Sequence, residues 1–567
     1  MRRFEALTVN VLGVMTGARA LAEMLYGYGV THVFMVPAVL RRTLAELERF
    51  GVRRIHTHGE KSAAYMADGY ARMAGRPGVC MAQAVGALNL AAGLRDAHLA
   101  NSPVIAFTGG RTPDAAGKGV YQEVDDLPAF VNVTKFSAVV DDVERVSDLV
   151  RRTFRTAVSG RPGPVHLQFL GNEGQIDLDE GDLDPSVDTR FATVPPERPL
   201  PDPHDVAAAL DLLDRAERPV LVAGGGVRAS GASGELVAVA ERLSIPVATS
   251  LNGKDTIPGK HPLCVGVVGT YSRSAANRLV NQADLVCFVG SSTGSMTTHF
   301  WRVPPPTTPA IQIDIDPEML GRNYPLRVAI PADAHATLTA LLEQAGPRSP
   351  GRDVWLDSAR REVAVWREQH LGHLESDGMP IRPERICADL TALVPDNACV
   401  VVDTGHAGMW MGGMFDTRTP DQRYLRSAGH LGWAFPAALG AKCADPDRPV
   451  VCFTGDAGFW YHMAEVETAV RWGINTVTVV NNNSSGNQSA RGFDRAYGGK
   501  QTPEGRRLWT FADVDFARLA EGMGAMGIRV EKPSEIGPAL ECGLAAGRPA
   551  VIDVVTDVDA IAPLAVV

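Results

Sequence analysis

The chain has 567 residues, 45% of them hydrophobic and 21% charged, with 57 glycines and 38 prolines. At roughly 150 residues per domain that is about three or four domains, and the apolar fraction excludes a disordered, collagen-like or coiled-coil chain. Lys and Arg number 55 against 65 Asp and Glu, a formal net charge of −10. There is no basic footprint for duplex nucleic acid, although backbone amides and a metal can still hold a local anion.

The start, MRRFEALTVNVLGVM, faintly follows a secretory pattern, but Glu5 and Asn10 interrupt its apolar stretch and no clean cleavage site follows. No run reaches the roughly 18 apolar residues of a membrane span. The expectation is a soluble, cytoplasmic protein with no membrane partner. None of the eight cysteines forms a CxxC pair, and most sit in apolar runs, as Cys287 and Cys452 do. Reduced, buried thiols are expected, not disulfides or zinc.

Further along, GVCMAQ predicts a strand, GALNLAAGLRDAHLA a helix and PVIAFTGG the next strand. An acidic and then Pro-rich stretch from Asp177 to about Asp205 reads as a solvated linker. It fails the EF-hand pattern, because Asp182 stands where that loop needs Gly. PVLVAGGGV, a helix through GELVAVAERL and the strand PVATS follow. GPRSPGRD, Gly346 to Asp353, reads as a second linker. Beyond it ACVVVDTG, RPVVCFTGD and NTVTVVNN predict strands, with one helix through FWYHMAEVETAVRWG. Buried apolar strands joined by helices make parallel α/β sheets, and the three blocks look alike. The expected domains are 1–185, 200–345 and 365–567. Ligands bind beyond the carboxyl ends of such strands, at Gly109–Gly110, Gly224–Gly226, Gly405, Gly455–Asp456 and Asn481–Asn483.

Three stretches carry chemistry. Asp456 ends one predicted strand, and Asn483, 27 positions later, ends the next. One intervening helix brings both to neighbouring strand ends. Gly455, Ala457 and Gly458 open that helix, where free N–H groups favour phosphate. A carboxylate and an amide oxygen beside phosphate suit octahedral Mg²⁺. Taken alone, the Asp is more readily a helix cap than a ligand, and the paired strand ends reverse that order. Glu60 opens EKSAAYMADGYARMAG, whose Ala63, Ala64, Ala67 and Ala71 permit close helix packing; alone, it is a helix-start glutamate favoured by the dipole. GHLGWAFPAALGA, Gly429 to Ala441, is a Gly-broken apolar loop entering a helix.

Together these stretches resemble the thiamine diphosphate (ThDP)-dependent enzymes of the acetolactate synthase-like superfamily, which also holds pyruvate oxidases, benzaldehyde lyase and 2-hydroxyacyl-CoA lyases. The resemblance covers nearly the whole chain. It implies an α/β fold of three doubly wound parallel-sheet domains: pyrimidine-binding, central Rossmann-like and diphosphate-binding. It implies Mg²⁺ on Asp456, Asn483 and the Ser485 carbonyl. The diphosphate would meet Gly405, His406, Ala407, Gly455, Ala457 and Gly458. Leu431 matches the residue that wedges beneath ThDP, Gly429 the carbonyl partner of its 4′-amino group, and Glu60 the glutamate on N1′ of its pyrimidine. Glu60 would come from the other subunit of a homodimer, itself part of a homotetramer. The chemistry implied is a carboligation or decarboxylation of a 2-oxo acid through a C2 ylid.

On the substrate side, Gln122 in YQEVD matches a glutamine near the active centre, and Lys135 in VTKF a recurrent basic position; a surface lysine is the plainer reading. The family's TSGPGATN reads MAQAVGALN here, Met81 to Asn89, and Gly59 separates His58 from Glu60. Both departures fall near the substrate pocket. The Gly224–Gly231 turn could serve FAD, ADP or CoA in relatives, but SSTGSM, Ser291 to Met296, lacks the Asp and Arg of flavin-binding synthases. The sequence therefore weighs against FAD, and ADP or CoA in the central domain stays open without being favoured. The alternatives are a lyase of a 2-hydroxyacyl-CoA or 2-hydroxy ketone, and a non-catalytic ThDP-binding homologue, which would have to lose Glu60, Asp456 or Asn483.

Overall fold

The computed structural model describes residues 13–346 and 351–563. The secretory-like start to residue 12, and residues 347–350 of the second expected linker, lie outside the described residues. The chain forms two compact units, Met1–Pro196 and Glu197–Val567.

In the first unit the strands are β1 (Gly13–Thr16), β2 (His32–Met35), β3 (Arg53–His56), β4 (Gly78–Ala82), β5 (Val104–Gly110), β6 (Phe136–Val140), β7 (Val165–Leu170) and β8 (Glu180–Leu183). Six of them form a parallel sheet in the order β3-β2-β4-β5-β7-β6. The strands β4 and β5 are buried throughout, as helices on both faces require. The helices Glu60–Ala74 and Ala87–Ala100 pack almost backbone to backbone: a Cβ on Gly93 would stand 2.6 Å from the Ala64 Cβ.

The acidic stretch is no solvated linker at its start. β8 pairs antiparallel with β1. The buried Asp177 carboxylate accepts from the Thr43 N–H at 3.2 Å and hydroxyl at 2.9 Å. Satisfied in this way, an acidic side chain can be buried where charge alone predicts solvent.

The second unit holds two sheets. The first contains β9 (Pro219–Ala223), β10 (Val247–Thr249), β11 (Cys264–Val267), β12 (Leu285–Val289), β13 (Ala310–Asp314) and β14 (Leu326–Pro331), ordered β11-β10-β9-β12-β13-β14. This is the Rossmann order. At its switch point a Cβ on Gly224 would overlap the Gly290 carbonyl, so Gly224 is required by packing between loops.

The second sheet contains β15 (Cys399–Val402), β16 (Arg423–Arg426), β17 (Val450–Gly455), β18 (Val477–Asn482), β19 (Met526–Val530) and β20 (Ala550–Val555), ordered β16-β15-β17-β18-β20-β19. Numbered within its own sheet, that order is the one found in the first unit. The likeness among the three blocks is thus a true repeat of topology between the first and third domains, and the central domain differs.

Leu251, Val267 and Ala275 of the central domain belong to the same buried cluster as Trp410, Phe415 and the strands of the third. The helix His406–Met414 ends against that domain. Lys254 Nζ donates to the Gly412 carbonyl at 3.0 Å, and Arg273 Nε to that of Gly413 at 2.7 Å. Both cations are buried, satisfying carbonyls that a helix end leaves orphaned. Arg273 also pairs with Asp416 at 2.6 Å and lies 4.5 Å over the Trp366 ring. The cysteines are all free thiols, seven of them buried. Among the described residues no helix is long and apolar enough to cross a membrane.

Candidate active site

In the second unit the candidate residues converge at the carboxyl ends of β15, β17 and β18. β17 stops at Gly455, and Asp456 begins the short helix Asp456–Trp460. The expected single helix through residues 459–473 is interrupted. Tyr461, His462 and Glu465 donate to carbonyls three residues back, and a second helix runs Glu465–Trp472. A Cβ on Gly432 would come within 2.7 Å of Tyr461, so the break seats the Gly432 loop.

Asp456 is 2% exposed. Its two oxygens accept from the Ala457 N–H at 2.7 Å and the Ser485 N–H at 2.9 Å. Among the described residues it forms no ion pair with Lys, Arg or His. Burial pushes its carboxyl up to about 6, against the pull of main-chain N–H groups of Ala457, Ser485, Ser484 and Asn483. Asn483 follows β18, and its Oδ1 accepts from the Ser485 hydroxyl at 2.8 Å. Ser484 between them has φ +52°, a strained conformation for a residue with a Cβ. One carboxylate, one amide oxygen and one turn of main chain are therefore gathered between adjacent strand ends.

The glycines divide into two kinds. Nothing lies within 4 Å of the place a Cβ would occupy on Gly429 or Gly455. Gly458 and Gly432 are packed tightly against neighbours. Gly455, at Asp456's helix start, and Gly429 each border free space, and the packed pair hold the loops in place. Gly405 has φ +68°, which turns the chain sharply from β15 into the helix starting at His406. Leu431 remains 36% exposed, unusual for a leucine between two packed segments.

His406 Nδ1 lies 2.5 Å from Asn487 Oδ1. The Asn487 amide donates to the Val558 and Ala560 carbonyls, which fixes Oδ1 as acceptor and places the ring proton on Nδ1. Burial lowers the His406 pKa, partly offset by the Asn487 bond.

In the first unit Glu60 is the first residue of its helix and accepts from Asn89 Nδ2 at 3.2 Å. A Cβ on Gly86 would overlap the Glu60 carboxylate, which explains why the altered loop Met81–Asn89 keeps this glycine. Gln122, at φ +63°, accepts through Oε1 from Gln83 and Asn172, each at 3.0 Å. Lys135 is exposed, in keeping with the plainer reading of a surface lysine. Its Nζ donates to the carbonyls of Thr156, Ser159 and Arg161, capping the end of the helix Val146–Val158.

Sequence reasoning missed Asp403, Thr454 and Asn487. Asp403, directly after β15, is fully buried and accepts from Thr404 N–H, Gly432 N–H and the Thr454 hydroxyl. Its only sequence signal was a polar residue closing an apolar strand.

Residues 15–129, 206–341 and 403–554 match, in turn, the thiamine pyrophosphate enzyme N-terminal TPP binding domain, central domain and C-terminal TPP binding domain. The chain belongs to this family, in its acetolactate synthase-like branch, and is a ThDP-dependent enzyme. Among its relatives, the probable acetolactate synthase large subunit of Methanocaldococcus jannaschii is 32% identical, over 96% of this chain and 92% of that protein. The acetolactate synthase large subunit of Parasynechococcus marenigrum is 31% identical, over 97% and 88%. The sulfoacetaldehyde acetyltransferase of Alcaligenes xylosoxydans xylosoxydans is 30% identical, over 93% and 90%.

Proposed function

We propose that this enzyme is a carboligase or decarboxylase of 2-oxo acids, acetolactate synthase-like, and that it holds its ThDP through Mg²⁺. The observation that carries the reading is the buried Asp456 at the end of β17, which has no Lys, Arg or His ion pair among the described residues. It sits beside Asn483 and Ser485, next to the open backbone of Gly455. A buried carboxylate that main-chain N–H groups hydrogen-bond but no cation neutralises is costly, and a divalent cation would restore the balance.

Asp456, Asn483 and the Ser485 carbonyl would hold the metal. Gly405, His406, Ala407, Gly455, Ala457 and Gly458 would hold the diphosphate through main-chain N–H groups. Bound ThDP supplies an acidic carbon and an electron sink for the 2-oxo acid. Leu431 would fix the cofactor's bend, and the Gly429 carbonyl would orient its amino group. Glu60 would hold a proton at N1′, and Gln122, braced by Gln83 and Asn172, would meet the substrate. The close relatives named synthase or acetyltransferase support carbon–carbon chemistry of this kind over a 2-hydroxyacyl-CoA lyase.

Purified enzyme with ThDP and Mg²⁺ is expected to consume pyruvate. Turnover on a 2-hydroxyacyl-CoA with none on pyruvate would overturn the reading. Glu60→Gln should lower kcat by roughly 100-fold or more while ThDP affinity stays within a few-fold. Asp456→Ala should lose metal-dependent ThDP binding. We also propose a homodimer, assembling further into a homotetramer, with Glu60 of one copy serving the cofactor of the other. Hybrid dimers of Glu60→Gln and Asp456→Ala chains should then keep one intact site of two, roughly half of wild-type activity in the purified hybrid and roughly a quarter in the coexpressed mixture. No recovery in a purified hybrid would count against shared sites.

A further inference from the structure

Leu431 and the diphosphate turn lie on different segments, and one buried side chain joins them. Asp403 Oδ1 accepts from Thr404 N–H at 2.8 Å and Gly432 N–H at 3.1 Å. Oδ2 accepts from Gly432 N–H at 3.0 Å and from the Thr454 hydroxyl at 3.0 Å. A Cβ on Gly458 would stand 2.6 Å from that same oxygen. A single carboxylate thus gathers the end of β15 before Gly405, the end of β17 before Asp456, the helix start at Gly458 and the residue after Leu431.

The Leu431 loop needs such an anchor. Its flanking glycines, Gly429 at φ +154° and Gly432 at φ +86°, give it backbone freedom, and the leucine is only partly buried. On its other side Ser427 Oγ donates to the His430 carbonyl at 2.8 Å. A carboxylate can accept all these bonds at once. An asparagine offers one acceptor oxygen, and its NH₂ would confront a donor.

We infer that Asp403 is a positioning residue that sets the Leu431 loop in register with the diphosphate turn, without itself touching cofactor or substrate. The inference rests on the ThDP reading of Leu431 given above.

Hydrogen–deuterium exchange of the cofactor-free enzyme tests it first. In Asp403→Asn, peptides covering residues 428–433 should exchange at least roughly tenfold faster, while those from β9 to β14 keep wild-type rates. The second readout is the exchange of the C2 proton of bound ThDP. Asp403→Asn and Leu431→Ala should each slow it by on the order of tenfold or more, with ThDP affinity changed only a few-fold, and the double variant should be no slower than Leu431→Ala alone. Thr454→Val, which removes one donor, should move both readouts the same way by less, and it carries the test should Asp403→Asn not fold.

Unchanged exchange at residues 428–433, or additive effects of the two substitutions, would overturn the inference. C2 exchange slowed by Leu431→Ala but untouched by Asp403→Asn overturns it alone. Wild-type enzyme that does not bind ThDP overturns the cofactor reading and this inference with it.

Discussion

A proton would compete with the proposed metal ion for the Asp456 carboxylate, whose pKa burial has raised to about 6. The thermal stabilisation that ThDP and Mg²⁺ give the protein should therefore be constant near pH 8 and shrink as pH falls below about 6. Thermal unfolding with and without both ligands, at about pH 8 and about pH 5, checks this; equal shifts at the two values would sink it. Asp456 and Asn483 were legible in sequence because each closes an apolar strand at a spacing one helix can span. Asp403 closes an apolar strand too, yet its partners Gly432 and Thr454 lie 29 and 51 positions away. Nothing local predicts that convergence. Lys135 shows the converse. Its place in the chain allowed a substrate role beside the plainer reading of a surface lysine, and three carbonyls that only the fold brings together claim its ammonium at the surface.

At the scale of elements, His166 links three strands of the first unit. Thr108 on β5 meets its Nε2 and Ser137 on β6 its Nδ1, each at 2.8 Å. Burial depresses its pKa to about 3, and that of His32 on β2 to about 4. Both are neutral in the fold and can protonate once unfolded. Their contribution is intact above the unfolded value of about 6.5 and is lost progressively as pH falls toward 3 or 4. The first unit should lose up to roughly 1.4 kcal/mol per pH unit for each histidine in that window. Urea unfolding of this unit from about pH 7 to about pH 5 measures the slope, and His166→Gln should reduce it. A slope unaltered by that substitution would refute the assignment. Apolar runs made the strands legible, since a parallel strand covered on both faces has little choice of composition. The interrupted helix after Asp456 was not, because what breaks it is the Gly432 loop packing beneath Tyr461. The strand β8 hid within an acidic stretch because its pairing with β1 spans most of the first unit.

For the whole molecule, the repeat of one strand order in the first and third domains was visible only as a vague likeness, since periodicity reports strands and not their neighbours. The chain's acidity decides little. A local set of N–H groups and a metal would hold the diphosphate whatever the sum of surface charge. A colourless purified enzyme is expected from the flavin-poor signature of the central domain, and a flavin absorption band in stoichiometric amount would contradict it. Lys254→Met, which strips the Gly412 carbonyl of its cation, should cost about 1–3 kcal/mol. The loss should appear as an earlier single transition of Glu197–Val567, because the central and third domains share one buried cluster. Two separated transitions would show that they unfold apart.

The buried cations at the end of the His406–Met414 helix also decide where this protein can be recombined. The Pro- and Gly-rich stretch after residue 345 looks like a natural seam for exchanging a central domain between relatives. A graft made there would place the donor's residues at positions 254 and 273, and so put the far end of the helix whose first turn carries His406 under the donor's control. Pro196, where one compact unit gives way to the next, is the cleaner place to cut.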